Sequence, residues 1–121
     1  ALPRQAATPW IPRAAVWEGE RELSIQVELA GVPRDGLEVA VSSNVLTVKG
    51  SRPFFALNDG HPALRGTEFP LGPFSRSFAL PQGIASKDIS VTLKDGILEV
   101  RIPRASAPGA SGTTTQQIPV R

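Results

Sequence analysis

The stretch that decides the fold runs from residue 89 to residue 102 and reads Ile-Ser-Val-Thr-Leu-Lys-Asp-Gly-Ile-Leu-Glu-Val-Arg-Ile. On each side of Asp95-Gly96, apolar residues alternate with polar ones, which predicts two β-strands that each turn one face toward a core. Asp-Gly is a pair that tight hairpins favour, because Gly accepts a positive φ. The stretch therefore predicts an antiparallel hairpin over 89–93 and 97–102.

The same alternation recurs outward from this hairpin, toward the N-terminus. Ser43-Asn44 offers a further turn, and short runs of alternating residues lie on both sides of it. Short strands with polar outer faces and frequent turns predict an all-β fold, an immunoglobulin-like antiparallel β-sandwich. The further predicted strands are 22–29, 37–42, 45–49 and 74–80, with weaker ones at 13–17 and 64–69.

The composition limits the chemistry that the chain can perform. At 121 residues with 40% hydrophobic residues, the chain suits one domain with a buried core. It contains no Cys, which excludes disulfides, thiolate metal sites and Cys nucleophiles and is compatible with a reducing cytoplasm. No apolar run approaches the roughly 20 residues that span a bilayer, so we expect no membrane association.

The charge pattern argues against nucleic acid as a partner. The net charge is only +2, the signs are mixed along the chain, and Lys and Arg form no cluster. Nucleic-acid binding usually needs a concentrated basic face with stacking aromatic rings. The Phe and Trp residues stand at positions typical of a core, so we expect no nucleic-acid partner.

No motif for catalysis or for a metal is visible in the sequence. His61, the only histidine, stands in a loop, with no Cys or second His to complete a metal site. Asp35, Asp59 and Asp95 each precede Gly, which turn chemistry explains. The serines lack a Gly-x-Ser-x-Gly setting, and no Gly-rich phosphate loop is present. We therefore expect no enzyme activity, no catalytic residue, no metal and no cofactor.

Arg76 is the first feature that needs a special explanation. Within residues 74–80 it shares a strand face with Phe74, Phe78 and Leu80. A guanidinium on an apolar face is costly to bury unless it is paired. Two interpretations stay open: an edge position from which the side chain reaches water, or a specific acidic partner, including one across a subunit boundary.

The end of the chain is the second such feature. Residues 105–117 have the composition of a flexible linker, yet the chain then ends Ile118-Pro119-Val120-Arg121. Ile and Val on either side of Pro point to the same side of an extended segment, a shape that suits insertion into a groove at a sheet edge. The alternative is a frayed tail. A linker of this length spans roughly 20 Å, so the tail reaches its own domain or a neighbour's.

Several stretches, in order along the chain, resemble the α-crystallin domain of small heat shock proteins of the bacterial type. The end Ile118-Pro119-Val120 also resembles the tail motif of that family. The resemblance covers residues 10–103, leaves 1–9 as a remnant of an N-terminal arm, and makes 104–121 a flexible C-terminal extension. The stretches are Leu29-Ala30-Gly31-Val32-Pro33 with Asp35, Asn44 to Gly50, Gly72 to Phe78 with Leu80-Pro81, and Asp95 to Val100.

The resemblance implies a homodimer. In bacterial and plant members of the family, the long loop, here 50–67, carries a strand that is exchanged between subunits, and residues 63–69 are similar to that strand. It also implies that Arg76 pairs with Glu68 of the other subunit. With these two, Leu64 and Phe69 are the implied interface residues.

The resemblance further implies that the tail motif docks between two strands of a sandwich, here 37–42 and 89–93. The same side chains also suit an ordinary core role, and docking in the same chain or in another copy stays open. The implied groove residues, for the tail or for client proteins, are Leu37, Val39, Val41, Ile89 and Val91.

The function that the resemblance implies is that of an ATP-independent chaperone of the stress response. Such a protein holds unfolding client proteins in the cytoplasm and acts as a homodimer or a higher homo-oligomer. The main alternative is a co-chaperone or adaptor sandwich of the CS type without holding activity. A secreted immunoglobulin-like adhesion module and an enzyme of unrecognised type are the others.

Overall fold

A computed structural model of the chain describes residues 9–53, 63–84, 86–104 and 115–121. These residues form an all-β fold of two four-stranded sheets, with short 3-10 turns at Arg34–Gly36 and Ser86–Asp88. The predicted β-sandwich class is therefore confirmed. The strands are β1 (Ala14–Glu18), β2 (Glu22–Glu28), β3 (Glu38–Ser42), β4 (Val45–Arg52), β5 (Gly72–Ala79), β6 (Ser90–Lys94), β7 (Ile97–Pro103) and β8 (Gln116–Ile118).

The strand order determines which edges of the sandwich are available to other segments. The first sheet has the order β1-β2-β7-β6 and the second has the order β5-β4-β3-β8, and neighbouring strands in both are antiparallel. The two predicted turns join hairpin strands: Ser43-Asn44 lies between β3 and β4, and Asp95-Gly96 lies between β6 and β7. All four turn residues have positive φ, from 49° to 80°, as the tightest hairpin turns require.

The inward faces of both sheets form one apolar core. Leu46 and Val48 from the second sheet, and Leu98 and Val100 from the first, have no exposed surface. Full burial of each such side chain contributes about 1.5–3 kcal/mol. Gly50 also faces this core, where a Cβ would lie 2.7 Å from the Phe74 ring, so only a residue without a side chain fits there.

Several predicted boundaries of strands, loops and the linker were wrong, because the pairing between strands decides where each strand begins and ends. β4 continues to Arg52, opposite Gly72, so the first residues of the predicted loop 50–67 belong to a strand. The strand predicted at 64–69 is absent from the single chain, in which residues 63–71 pair with no strand. The predicted linker 105–117 ends early, because Gln116 and Gln117 already pair with β3.

The expectation that the aromatic residues lie in the core was partly wrong. Phe74 and Phe78 are buried, but the Trp17 side chain is 62% exposed and that of Phe69 is 54% exposed. Trp17 lies on the edge strand β1 with its indole nitrogen donating to Gln26 Oε1 at 3.0 Å. An edge strand covers less core than a central one, which leaves its large side chains accessible.

Candidate functional site

The tail of the chain lies on the sandwich as a short strand. β8 pairs antiparallel with β3, and Ile118 stands opposite Val39. Ile118 is 6% exposed and belongs to the same core as the sheet interiors. The first of the two apolar tail residues therefore completes the edge of the second sheet.

The second apolar tail residue reaches the other sheet. Val120 forms a parallel bridge with Val91 on β6, and it packs partly buried against the core. Backbone hydrogen bonds extend the contact, from Leu93 N to Arg121 O at 2.7 Å and from Arg121 N to Val91 O at 2.8 Å. Pro119, which has no N–H to leave unpaired, lies exposed between the two sheets. Together, Ile118 to Arg121 cover the edges of both β3 and β6.

The five residues that the sequence suggested as a groove are all buried. Three of them, Val39, Val41 and Val91, pair directly with tail residues. Leu37 and Ile89 lie in the same core, and neither is paired with a described residue of the tail. These three valines thus belong to the core and also pair with the tail.

Arg76 has a partner that the sequence did not suggest. Its side chain is half-buried, Nη1 donates a hydrogen bond to Pro12 O at 2.8 Å, and the guanidinium lies 4.8 Å from the centre of the Phe78 ring. Glu68 is exposed, and it forms no ion pair with Arg76 within the part of the chain that the structure describes. Within the single chain, the Pro12 carbonyl and the face of the Phe78 ring therefore stabilise the positive charge of Arg76.

The segment before β1, residues 10–13, is a strap that covers another sheet edge. Trp10 N donates to Pro73 O at 3.2 Å, and Ser75 N donates to Trp10 O at 3.3 Å, which places the strap beside β5. The indole nitrogen of Trp10 donates to Gly72 O at 3.0 Å, and its ring packs 5.1 Å from that of Phe74. Because the tail covers β3 and β6, the outer edge of β1 and that of the short tail strand β8 are the ones with no described segment beside them.

Arg52 is a functional candidate that the sequence reading missed. It is only 8% exposed, and it donates from Nε to Ala30 O and from Nη1 to Pro70 O, both at 2.8 Å. Its guanidinium lies 4.4 Å from the centre of the Trp10 ring. Burial lowers the pKa of Arg52, and the charge of Glu28 partly offsets that shift. Arg52 lies on the same face of β4 as Leu46, Val48 and Gly50. A predicted strand that continued to residue 52 would therefore have placed Arg52 on the buried face.

Glu99 organises the outer face of the first sheet. Its carboxylate accepts hydrogen bonds from Gln26 at 3.3 Å, from Ser24 at 3.5 Å and from Arg101 at 3.0 Å. The hydrogen bond from Gln26 is the main reason that the pKa of Glu99 lies below its ordinary value, with Arg101 and Ser24 adding to the effect. These polar side chains satisfy one another and are typical of a wet sheet face.

The described residues contain no group of three or more His, Asp or Glu side chains arranged to hold a metal ion. His61 and Asp59 lie outside the described residues. None of the helical segments in the described part is long and apolar enough to cross a membrane.

Comparisons with known proteins agree with the geometry. A family model described as Hsp20/alpha crystallin family matches residues 15–121. Small heat shock protein C4 of Rickettsia felis is 33% identical over 93 residues, which are 77% of this chain and 56% of that protein. The chain thus spans little more than half of the length of this relative.

Solved structures of similar proteins share the fold. Heat shock protein 16.0 from Schizosaccharomyces pombe matches with a TM-score of 0.72 and 27% identity, over 87% of this chain and 97% of that one. A small heat-shock protein from Xylella fastidiosa, described as having a distinct high order structure, matches with a TM-score of 0.71 and 24% identity, over 85% and 94%.

Proposed function

Since the chain belongs to the Hsp20/alpha crystallin family, the small heat shock proteins, we propose that it is an ATP-independent chaperone that holds unfolding proteins and prevents their aggregation. The observation that carries the proposal is the position of Ile118 and Val120. A short tethered segment covers two strand edges and the apolar side chains beside them. A cover of this kind can be displaced without unfolding the sandwich.

The size of the contact supports exchange between the tail and a client. β8 has only three residues, and an isolated pairing of that length is marginal in water. The tether compensates by keeping the effective concentration of the tail high. Heat weakens such docking, and an unfolding protein then competes for the edges of β3 and β6 with its own extended apolar segments.

The client contact that we propose uses backbone and side chains together. Once the tail has left, the edge of β3 supplies N–H and C=O groups for strand addition, while Val39, Val41 and Val91 receive alternate apolar side chains. Leu37 and Ile89 support these valines from the core. Neither step uses a nucleotide or a covalent change, because only the occupant of the edges is exchanged.

We also propose a homodimer in the cytoplasm, with the loop segment 63–69 pairing with the open edge of β1 of a second copy. Leu64 is 51% exposed and Phe69 is 54% exposed, which suits side chains that a partner covers. Glu68 would then meet Arg76 of the other subunit, so that the Arg76 guanidinium gains a carboxylate in addition to Pro12 O. Tails that dock in another copy would build higher homo-oligomers.

Light scattering from a heat-labile model enzyme tests the proposed function. We expect this chain to suppress aggregation at a near-equimolar ratio without any nucleotide. Ile118→Asp should release the tail and change the degree to which the chain suppresses aggregation. Gln117→Asp is the matched control, because Gln117 lies in the same strand but is exposed. If neither the chain nor its variants suppress aggregation of several clients, the holding function is wrong and an adaptor function takes its place.

A further inference from the structure

A second candidate binding site lies at the N-terminal strap, away from the tail. It is a cavity of about 540 Å³ beside Arg52. The rings of Trp10 and Phe69 and the prolines Pro12 and Pro70 contribute its apolar walls. The proposed exchange of the tail does not use this cavity.

Arg52 carries a positive charge that the described residues do not fully satisfy. Nε and Nη1 donate to backbone carbonyls, but Nη2 has no hydrogen-bond partner among the described residues, and Arg52 forms no ion pair with any of them. That part of the chain contains no fully buried side-chain nitrogen without a partner. Nη2 is thus the N–H group of Arg52 left for a ligand, and Arg52 is one of the residues that line the cavity.

The remaining charges of the cavity lie at its rim. Arg13, Glu28 and Glu68 are exposed, so water screens them, and the lining as a whole carries two positive and two negative side chains. Attraction for an anion would therefore come from the desolvated Arg52 at short range, and not from a broad positive field. A guanidinium favours a carboxylate, which can accept two of its N–H groups.

The rim of the cavity also favours a polypeptide over a compact small molecule. Ile11 is 71% exposed and Phe69 is 54% exposed, so large apolar side chains flank the opening and are not enclosed. An extended segment can place an acidic side chain on Arg52 and a neighbouring apolar side chain against Ile11, since Phe69 belongs to the proposed dimer contact.

We propose that this cavity binds an Asp or Glu side chain that stands next to a large apolar residue in an extended segment of an unfolding protein. The inference rests on the proposed chaperone function and adds the class of segment that is recognised. The carboxylate accepts from Nη2 of Arg52, and the apolar neighbour packs on Ile11, which the proposed dimer contact does not use.

Trp10 provides the reporter for a test. The chain has two tryptophans, so Trp17→Phe leaves Trp10, in the cavity wall, as the sole source of tryptophan emission. The probes are acetyl-Leu-Phe-Glu-Leu-amide and the same peptide with Gln in place of Glu. We expect the Glu peptide to change Trp10 emission and to bind about tenfold tighter or more, because the amide oxygen of Gln still accepts a hydrogen bond but lacks the negative charge that strengthens it.

Variants assign the effect to this cavity. Arg52→Gln should make the two peptides bind equally. Glu28→Gln, which removes a rim charge without touching the core, should tighten the Glu peptide severalfold, while Glu38→Gln, outside the cavity, should leave both peptides unchanged. Equal affinity of the two peptides for the unaltered site, or no response to Glu28→Gln, would overturn the proposal.

Two further outcomes separate this inference from the proposed function. A Glu-selective response in a chain that suppresses no aggregation would keep the site and reject the chaperone. Suppression of aggregation that is unchanged by Arg52→Gln, together with equal binding of the Glu and Gln peptides, would keep the chaperone function and reject the site. Trp10 emission that changes with protein concentration alone, with no peptide response, would mean that a second copy fills the cavity, and the proposal would be wrong.

Discussion

Ile118 lies directly opposite Val39 in the antiparallel pairing of β8 with β3, and both side chains are buried in the same core. Three residues later, at Arg121, the chain bonds to β6 in the other sheet. A segment of four residues therefore joins the edges of the two sheets at this end of the sandwich, as the strap before β1 does beside β5. Its removal should affect those edges far more than the stability of the sandwich.

We predict that Ile118→Ala opens the tail and leaves the fold intact. Truncating a fully packed core isoleucine costs about 2–5 kcal/mol, but here the loss is limited to the free energy of docking the tail. The measurement is amide hydrogen exchange at Leu93, whose N–H donates to Arg121 O. That amide should lose protection, while Val100 in the central strand β7 stays protected. Equal loss at both positions would show that the tail is part of the cooperative core.

We predict that Gly50→Ala destabilises the protein by about 1–3 kcal/mol, because a Cβ would lie 2.7 Å from the ring of Phe74 and 3.0 Å from Leu37. Urea unfolding measures the change in free energy. Gly36→Ala is the matched control, since its nearest neighbour is 4.0 Å away at Pro33, and it should be close to neutral. Similar losses in both variants would mean that crowding at Phe74 is not the cause.

We predict that Glu68→Ala and Arg76→Ala both weaken the proposed homodimer, but only Arg76→Ala also weakens the monomer. The reason is that Arg76 donates to Pro12 O within the chain, whereas Glu68 is exposed. Sedimentation velocity gives the size and urea unfolding gives the stability. The charge reversal Glu68→Arg with Arg76→Glu should restore part of the association. Dimers of unchanged affinity in both single variants would remove this pair as an essential contact.

We predict that Glu99 makes stability depend on pH at the acid end. Its pKa is lowered in the folded state, mainly by the hydrogen bond from Gln26, so it stabilises the fold above the ordinary pKa of a glutamate. That contribution is lost as the pH falls from the ordinary pKa of a glutamate through the lowered folded pKa. Thermal unfolding across this range should show a smaller acid-induced loss in Glu99→Gln. The acid-induced loss of stability in Gln26→Ala should lie between those of the unaltered protein and of Glu99→Gln. Parallel curves for all three proteins would contradict the assignment of this pH dependence to Glu99.

Much of the fold could be predicted because its elements are local. Alternation around Leu46 and Val48, and again around Leu98 and Val100, is enough to indicate strands with one buried face. Ser43-Asn44 and Asp95-Gly96 have the residue types that positive φ requires, and both turns are where they were expected. Strand ends were less predictable, because β4 continues to Arg52 only where β5 is there to pair with it.

The candidate sites, too, could be predicted only where they depend on local sequence. The apolar tail and the buried valines could be found from periodicity, but periodicity cannot say that Val91 contacts Val120 while Ile89 does not pair with the tail. The positions of Trp17 and Phe69 were misjudged because large apolar residues are buried only on average. Trp10 and Arg52 were missed because the ring and the guanidinium come from segments far apart in the chain.

By itself, the sequence determined the β-sandwich class, the two tight turns and the apolar character of the tail, since each depends on neighbours a few residues away. Only the tertiary structure decided that the strap and the tail cover the edges beside β5, β3 and β6, that Arg76 bonds to Pro12 O, and that a cavity lies beside Arg52. The physical reason is that edges and cavities arise from the order of strands within the sheets. That order depends on long-range packing, which leaves no periodic trace in any single segment.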